Sequence, residues 1–249
     1  MVYMKRTSII SMLLLITCWV SAQERTVENR PYTDLRPLHF GVMVGTHLQD
    51  LELMNVGPLT ITNDDGTTSL TDITCDQDRW DPGFTVGVLG EFRLSTHFQF
   101  RIAPALYFGT RHLTFHNFSN LDANGKQTEV TQEMKTVYIS SAFDLIFSAP
   151  RFNNHRPYLM AGFTPMVNLS GKDNDLIKLK RYDAFAEFGI GCDFYLPFFK
   201  LRPELKFMYS LTNSLDKAHA QKLKNPNLAY GMSVNETRSK IIALTFYFE

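Results

Sequence analysis

Histidine side chains in polar stretches are the first residues whose spacing could support catalysis or metal binding. His112 and His116 lie four positions apart beside Arg111, and His219 lies in a later polar stretch. Histidines can hold a metal or act as general bases, but a zinc site needs a third protein ligand, and none is evident beside this pair. We therefore expect these histidines to be solvated loop residues, and we predict no metal site.

An acidic stretch offers a second candidate site, for calcium. Four aspartates lie close together around Cys75 and Trp80: Asp72, Asp76, Asp78 and Asp81. Carboxylate oxygens suit calcium, yet the spacing and the glycine of an EF-hand loop are missing. The Gly-x-Ser-x-Gly, His-Glu-x-x-His and Cys-x-x-Cys motifs of enzymes and redox proteins are missing as well. We predict a solvated acidic loop, with neither catalytic residues nor a cofactor.

Charged side chains inside strand-like segments form the third candidate set. They occupy positions opposite in parity to the large apolar residues around them. In chain order they are Glu91, Arg93, Arg101, Asp144, Asp183, Glu187, Asp193, Arg202, Glu204 and Lys206. Mixed signs at this spacing favour ion pairs between strands over catalysis. We predict that they face the interior of the fold and that the nine other than Asp183 form a structural charge network.

The elements that must position these charges are β-strands, because apolar residues alternate with a period of two. In residues 98–109, for example, Phe100 and Ile102 alternate with Arg101 and Ala103. The same pattern marks eight segments, which are 38–48, 83–94, 98–109, 136–147, 157–169, 182–196, 200–211 and 238–248.

The connections between these segments alternate between long and short. In chain order they are 49–82, 95–97, 110–135, 148–156, 170–181, 197–199 and 212–237. The long connections are polar. This rhythm predicts an all-β fold: an eight-stranded antiparallel transmembrane β-barrel with long extracellular loops, short periplasmic turns and both termini in the periplasm.

The volume of the interior decides which face of the strands points inward. The apolar face carries four to six large residues in each strand, many of them phenylalanine. The interior of an eight-stranded barrel is just wide enough for side chains to fill, so this set would overfill it. A charge on the lipid face would cost about 2–4 kcal/mol near the midplane. We therefore predict apolar side chains toward lipid and a plugged, charged interior, not a porin-like channel.

Composition and the first residues predict the location. The chain has 249 residues with 25 basic and 25 acidic side chains, and this balance argues against a nucleic-acid partner. Lys5 and Arg6 precede an apolar run at 9–20, and small residues follow at 20–22. This is the order of a secretory signal peptide. We predict a cleaved signal peptide at 1–22, a polar leader at 23–37, and a barrel at 38–249 in the outer membrane.

Cysteines, prolines and aromatic residues add smaller predictions. Export permits a disulfide between Cys75 and Cys192, but one falls in a polar loop and the other within a strand, so we expect them to be unbonded. Three prolines fall inside strands and must each remove a ladder hydrogen bond, namely Pro104, Pro165 and Pro203; bulges or rim positions are two ways to accommodate them, and the sequence does not decide between them. Two roles are open for four aromatics near the long loops, contact with a partner or a place in the headgroup belt, and we expect the belt for Tyr107, Phe115, Phe118 and Tyr230.

Several stretches, in order along nearly the whole mature chain, carry a family resemblance. They are RPLHFGV at 36–42, PGF at 82–84, FRIAP at 100–104, FGTR at 108–111, NNHRPY at 153–158, DFYLPFFK at 193–200, PELK at 203–206 and FE at 248–249. Taken together they resemble the PorT (SprT) family, outer-membrane β-barrel proteins of the Bacteroidetes type IX secretion system. The chain departs from the family at Ala105, where glycine is frequent, and in the 90–93 stretch, and neither change threatens the fold.

The resemblance implies a non-enzymatic role in secretion, in which folded cargo with a C-terminal signal domain crosses the outer membrane. It implies outer-membrane lipid and other type IX secretion proteins as partners, and no small-molecule substrate. Two alternatives remain open at this point. One is a generic small structural or adhesion barrel, and the other is a lipid-modifying barrel enzyme.

Overall fold

Strands make up most of the part of the chain that the computed structural model describes, which comprises residues 27–62, 66–121, 127–171, 175–224 and 227–249. The predicted signal peptide, 1–22, lies outside these residues. The strands are β1 (Leu38–Asn55), β2 (Leu59–Thr62), β3 (Thr68–Thr71), β4 (Ile73–Asp76), β5 (Asp81–Arg93), β6 (Phe98–Leu121), β7 (Gln127–Ser148), β8 (His155–Asn168), β9 (Tyr182–Tyr195), β10 (Lys200–Ser210) and β11 (Val234–Phe248). A 3-10 turn (Thr33–Leu35) precedes them, and two short helices, α1 (Lys217–Ala220) and α2 (Asn227–Met232), lie before β11.

Eight of the strands close into a ring, which confirms the predicted antiparallel barrel. Its order is β6-β5-β1-β11-β10-β9-β8-β7, and β7 pairs with β6 to complete the circle. Closure leaves no open edge, so the backbone groups of the ring are satisfied without water. Among the described residues, no helix has the length and apolar character needed to cross a membrane.

The apolar face of the ring points outward, as predicted from the interior volume. Phe40 is 71% exposed and Phe188 is 51% exposed, whereas Arg101 is fully buried. Outward rings also contact one another across strands, as Phe84 and Phe108 do at 4.8 Å between centroids. The molecule therefore presents an apolar band on its outside and its charges inside.

The three prolines singled out in the sequence, Pro104, Pro165 and Pro203, each lie at a gap in one hydrogen-bonded ladder. At Pro104 the pairing of β5 with β6 is interrupted between Gly87–Ala105 and Gly90–Ile102, and the register is the same on both sides. The same interruption occurs at Pro165 between β7 and β8 and at Pro203 between β9 and β10. At all three prolines the ladder therefore loses bonds on the side that would need the missing N–H, and the strand pairing keeps its register without a bulge.

Two of the predicted loops are largely strand, which corrects the polar-loop assignment of 49–82 and 110–135. β1 continues to Asn55, and β6 and β7 remain paired from Gly109–Thr136 up to Asn117–Thr128. Above the apolar band the strands keep their alternation, but the apolar side chains now occupy the positions that face inward. The strands do not end there because this upper part packs around a water-excluding core of its own.

The upper core, which we call the cap, closes the extracellular end of the barrel. Its buried residues are Leu51, Ile61, Ile73, Cys75, Leu113, Phe115, Met134, Ile177, Leu179, Leu215, Ala229 and Val234. β4 takes the place of β5 beside the upper part of β6, with Cys75 opposite Phe115. The α1 helix begins at Asp216, whose carboxylate accepts a hydrogen bond from the amide of Ala218.

Candidate functional site

The charged interior begins near the periplasmic end with Arg202 of β10. Its guanidinium pairs with Asp193 on β9 and, across the ring, with Glu91 on β5. Its Nη1 also lies 3.2 Å from Oε1 of Glu249, which pairs with Lys200. A planar guanidinium can pair with several carboxylates at once. Arg202 therefore links β9, β5 and the C-terminal residue Glu249.

Arg101 of β6 occupies the next layer. Its Nη1 lies 2.8 Å from Oε2 of Glu204 on the far side of the ring, and its Nε lies 3.4 Å from Oε2 of Glu91. The guanidinium also stands over the ring of Tyr247, 4.4 Å from its centroid. Arg101 thus makes one of the cross-barrel contacts that fill the interior.

Lys206 forms the third layer with the remaining carboxylates. Its ammonium lies 3.6 Å from Asp144, 3.6 Å from Glu187 and 3.5 Å from Glu204. Two hydroxyl groups also donate to these carboxylates, Tyr158 to Glu204 at 2.7 Å and Thr164 to Glu187 at 2.7 Å. Lys206 therefore lies within ion-pairing distance of three carboxylates from three different strands.

The structure brings together eight of the nine predicted network residues. The exception is Arg93, which corrects that prediction: it lies at the periplasmic rim and donates from Nη1 to the carbonyl of Leu35 at 3.3 Å. Asp183 is also separate, since it accepts hydrogen bonds from Ser210, Thr212 and Ser214 near the extracellular end. That the network stabilises the barrel remains a prediction.

Sequence reasoning missed several members of this interior. Lys200 and Glu249 belong to the lowest layer, and the hydroxyls of Tyr158 and Tyr247 bond to Glu204. Their parity within the strands was the available signal, because both tyrosines alternate with outward apolar residues.

A polar layer lies above the charges and below the cap. Arg111 donates to Gln49 at 3.1 Å and to Ser239 at 3.1 Å, and Thr136 also donates to Gln49. His47 bonds to Thr85 at 2.9 Å. Polar and charged side chains that contact one another therefore line the interior from the periplasmic end to the cap.

The loop histidines and aspartates have more structural roles than predicted. Asp81 is buried and accepts from the backbone N–H of His112 at 2.7 Å, and its Oδ1 lies 2.8 Å from Nδ1 of that histidine. His219 is buried too, with Nε2 bonded to the carbonyl oxygen of Asp175. The solvated-loop assignments of Asp81 and His219 are therefore wrong. No group of three or more metal-binding side chains occurs within the described ranges.

Two of the aromatics assigned to the headgroup belt are interior residues instead. Tyr107 is 4% exposed inside the ring, and Phe115 is fully buried in the cap. Phe115 meets the ring of Tyr230 edge-on at 5.6 Å. Phe118 remains exposed. The belt prediction is wrong for these two residues, because Tyr107 and Phe115 share the parity of Arg101 and therefore point inward.

Cys75 and Cys192 are unbonded, as predicted. Cys75 lies in the cap, where burial, with smaller contributions from Asp76 and Asp78, raises the pKa of its thiol. A protonated, buried thiol reacts slowly, because the thiolate is the nucleophile.

In a Cys192→Ser background, we expect maleimide to label Cys75 at least tenfold more slowly in the folded barrel than after unfolding. An added Lys135→Cys thiol on the exposed face should label quickly in both states. Rapid labelling of Cys75 in the folded protein would show that the cap is open.

The periplasmic end is closed by the N-terminal strap, which we define as residues 27–37. Asn29 donates from its backbone N–H to Asn154 and from its side chain to the carbonyl of Tyr195. Arg30 donates to the carbonyl of Glu249 at 3.0 Å, and Tyr195 donates to Asp34 at 2.7 Å. The described part of the predicted leader is therefore packed across the turns.

Arg151, in the turn between β7 and β8, holds the strap in place. It donates to the carbonyl oxygens of Asn29 and Arg30, and its Nε donates to the carbonyl of Asn153 at 2.7 Å. Its guanidinium stands 3.7 Å from the centroid of the Tyr195 ring. One side chain thus joins the strap, its own turn and the end of β9.

A comparison with protein families agrees with this architecture. A family described as "Outer membrane protein beta-barrel domain" matches residues 21–216. Neisserial surface protein A is similar in structure at 10% identity, with a TM-score of 0.45, over 85% of this chain and 98% of that chain. The outer membrane protein OprG of Pseudomonas aeruginosa matches at 11% identity and 0.45, over 84% and 93%. The search among curated proteins found no match.

A third similar structure is the attachment invasion locus protein Ail of Yersinia pestis, solved in complex with the heparin analogue sucrose octasulfate. It matches at 10% identity with a TM-score of 0.37, over 84% of this chain and 96% of that chain. Likeness at these identities concerns the fold alone.

Proposed function

The chain belongs to the family of outer membrane protein beta-barrel domains, and from this premise we propose that it is a non-enzymatic component of a type IX secretion system. In this role it acts through its surfaces on the export of cargo across the outer membrane. Its partners are outer-membrane lipid and other proteins of that system. Neither a cofactor nor a small-molecule substrate is needed.

The filled interior is the observation that carries the surface-acting part of this proposal. Arg101, Arg202 and Lys206 are each buried among carboxylates contributed by several strands. A channel or an interior active site would need free volume or an unengaged reactive group there. The rims and the outer faces of the ring remain available for binding, as is usual for scaffolds that carry function on loops.

The secretion part of the proposal is supported by the clustering of four family-like sequence stretches at one end of the barrel. Residues 36–42, 153–158, 193–200 and 248–249 come together at the periplasmic end. There Asp34 pairs with Arg156 at 3.6 Å, and the backbones of Lys200 and Glu249 bond to each other. A partner that approaches from the periplasm would meet this surface first.

Deletion of the gene tests the proposal directly. We expect cargo proteins with a C-terminal signal domain to accumulate in the periplasm, and a plasmid copy of the wild-type chain to restore their export. Affinity isolation from outer membranes should recover other secretion proteins. Normal export in the deletion strain would contradict the secretion role, and altered surface binding would then favour the adhesion alternative. A changed lipid A mass spectrum would favour the enzyme.

A further inference from the structure

Charge is distributed unevenly around the extracellular mouth, although the chain as a whole has 25 basic and 25 acidic side chains. Residues 49–82 contain eight acidic side chains and one basic one. Residues 175–181 and 211–224, on the other side of the mouth, contain six basic and two acidic side chains. The basic residues of the second region therefore form a positive surface.

This region is an ordered body that is anchored in the cap. Leu179 and Leu215 form a bridge between the two segments, and both side chains are buried. The amide of Lys180 donates to the carbonyl of Ser214 at 2.7 Å, and the amide of Asp216 donates to the carbonyl of Lys178 at 2.9 Å. We call its exposed cations the basic face, which consists of Lys180, Arg181, Lys217, Lys222 and Lys224.

The described contacts of Lys180, Arg181 and Lys217 do not neutralise the positive charge of the basic face. The ammonium of Lys180 donates to the carbonyl of Asn213 at 2.8 Å, and that of Lys217 donates to the side-chain oxygen of Asn235 at 2.7 Å. Arg181 stands 5.9 Å from the ring of Tyr182. These partners are neutral, so they orient the cations without cancelling their charge.

The lower border of the basic face lies where the apolar band ends. Tyr182 is 68% exposed, and Leu169, on the neighbouring strand end, is also exposed. The carbonyl of Arg181 accepts from the amide of Asn168 at 2.7 Å, which fixes the backbone of Arg181 beside this border. Exposed tyrosines of barrels typically mark the membrane–water interface. The basic face thus begins at the level of the outer-leaflet head groups.

We propose that the basic face binds the phosphate groups of outer-leaflet glycolipid, with the phosphorylated saccharide head group of lipid A as the ligand. Lysine and arginine form their strongest hydrogen bonds with carboxylates and phosphates, and clusters of them beside a membrane recognise anionic head groups. Tyr182 and the apolar band below it would contact the acyl chains of the same lipid. The fixed orientation of Lys180 and Arg181 gives this surface a defined site at the lipid border.

Binding of lipid A to the purified full-length mature barrel tests the proposal. The variant Arg181→Gln/Lys224→Gln removes two exposed cations of the basic face. The control variant Arg36→Gln/Lys135→Gln removes two exposed cations elsewhere, so its net charge is the same. We expect lipid A to bind the first variant about thirtyfold more weakly than the wild type, at about 1 kcal/mol per cation. The control should bind like the wild type.

Three further measurements separate the phosphate head group from other ligands. Dephosphorylated lipid A should bind the wild type as weakly as lipid A binds the first variant. High salt should weaken the binding of phosphorylated lipid A but not that of the dephosphorylated form. Inorganic phosphate at the same phosphate concentration should not displace lipid A. Displacement would indicate a small-anion site and overturn the lipid assignment. Equal affinity of both double variants, when both retain the folded gel mobility, would overturn the basic face as the site.

Discussion

Replacing Arg101 by methionine is expected to lower the free energy of unfolding of the barrel by about 3–5 kcal/mol. Methionine keeps an unbranched apolar stem but removes the cation that lies 2.8 Å from Glu204 and 3.4 Å from Glu91. The two carboxylates would then remain buried with fewer compensating charges. Urea unfolding in lipid vesicles, followed by the shift between folded and unfolded mobility on gels, measures the loss. A difference below about 1 kcal/mol would contradict the network.

Two matched variants separate the charge network from general effects of substitution. Lys135→Met removes an exposed cation from β7 and should change the stability by less than about 0.5 kcal/mol. Arg101→Met/Glu204→Gln removes both partners of the shortest ion pair of Arg101. Because it restores the charge balance, the double variant should cost less than the sum of the two single variants. Additive costs would show that Arg101 and Glu204 do not act as a pair.

The alternation of side chains was sufficient to predict the ring and its orientation. A period of two identifies a strand with two different faces, and only the face with small and charged residues fits inside eight strands. Phe188 outside and Glu187 inside illustrate the result. These features follow from local sequence, because each strand shows the same contrast independently.

The upper barrel could not be recognised from polarity alone. Thr110, His112 and Thr114 are polar, so the segment resembled a loop, but they form the outer face of a strand that has left the membrane. Leu113 shares the parity of Arg101, and it is buried in the cap. Outside the lipid, water solvates the exterior and the apolar side chains move inward, so the phase inverts while the period remains.

The membership of the charge network was only partly predictable, because parity gives the side of a strand and not the height along the barrel axis. Arg93 has the parity of Glu91, yet it lies at the rim beside Leu35. The partners across the ring, such as Arg101 and Glu204, depend on the stagger between strands. The alternation within one strand does not show how far that strand is shifted along its neighbour.

Replacing Arg151 by alanine is expected to release the N-terminal strap while the barrel remains folded. The variant loses the hydrogen bonds to the carbonyls of Asn29 and Arg30 and the contact with the ring of Tyr195. These losses should lower the local opening free energy by about 2–3 kcal/mol, which corresponds to exchange that is roughly 30- to 150-fold faster. Hydrogen exchange of the amides of Leu35 and Arg36, which donate within the strap, measures this opening.

Variants at neighbouring cations show whether the planar guanidinium of Arg151 is the cause. Arg36→Ala removes an exposed cation of the strap and should leave the exchange of Leu35 unchanged. Arg151→Lys keeps the positive charge, but an ammonium can neither stack as a plane on Tyr195 nor donate to several carbonyls as a fork. The strap of Arg151→Lys should therefore open nearly as often as the strap of Arg151→Ala. Protection equal to the wild type in Arg151→Lys would mean that charge alone holds the strap. Unchanged exchange in Arg151→Ala would assign the closure to the contacts of Asp34 with Tyr195 and Arg156.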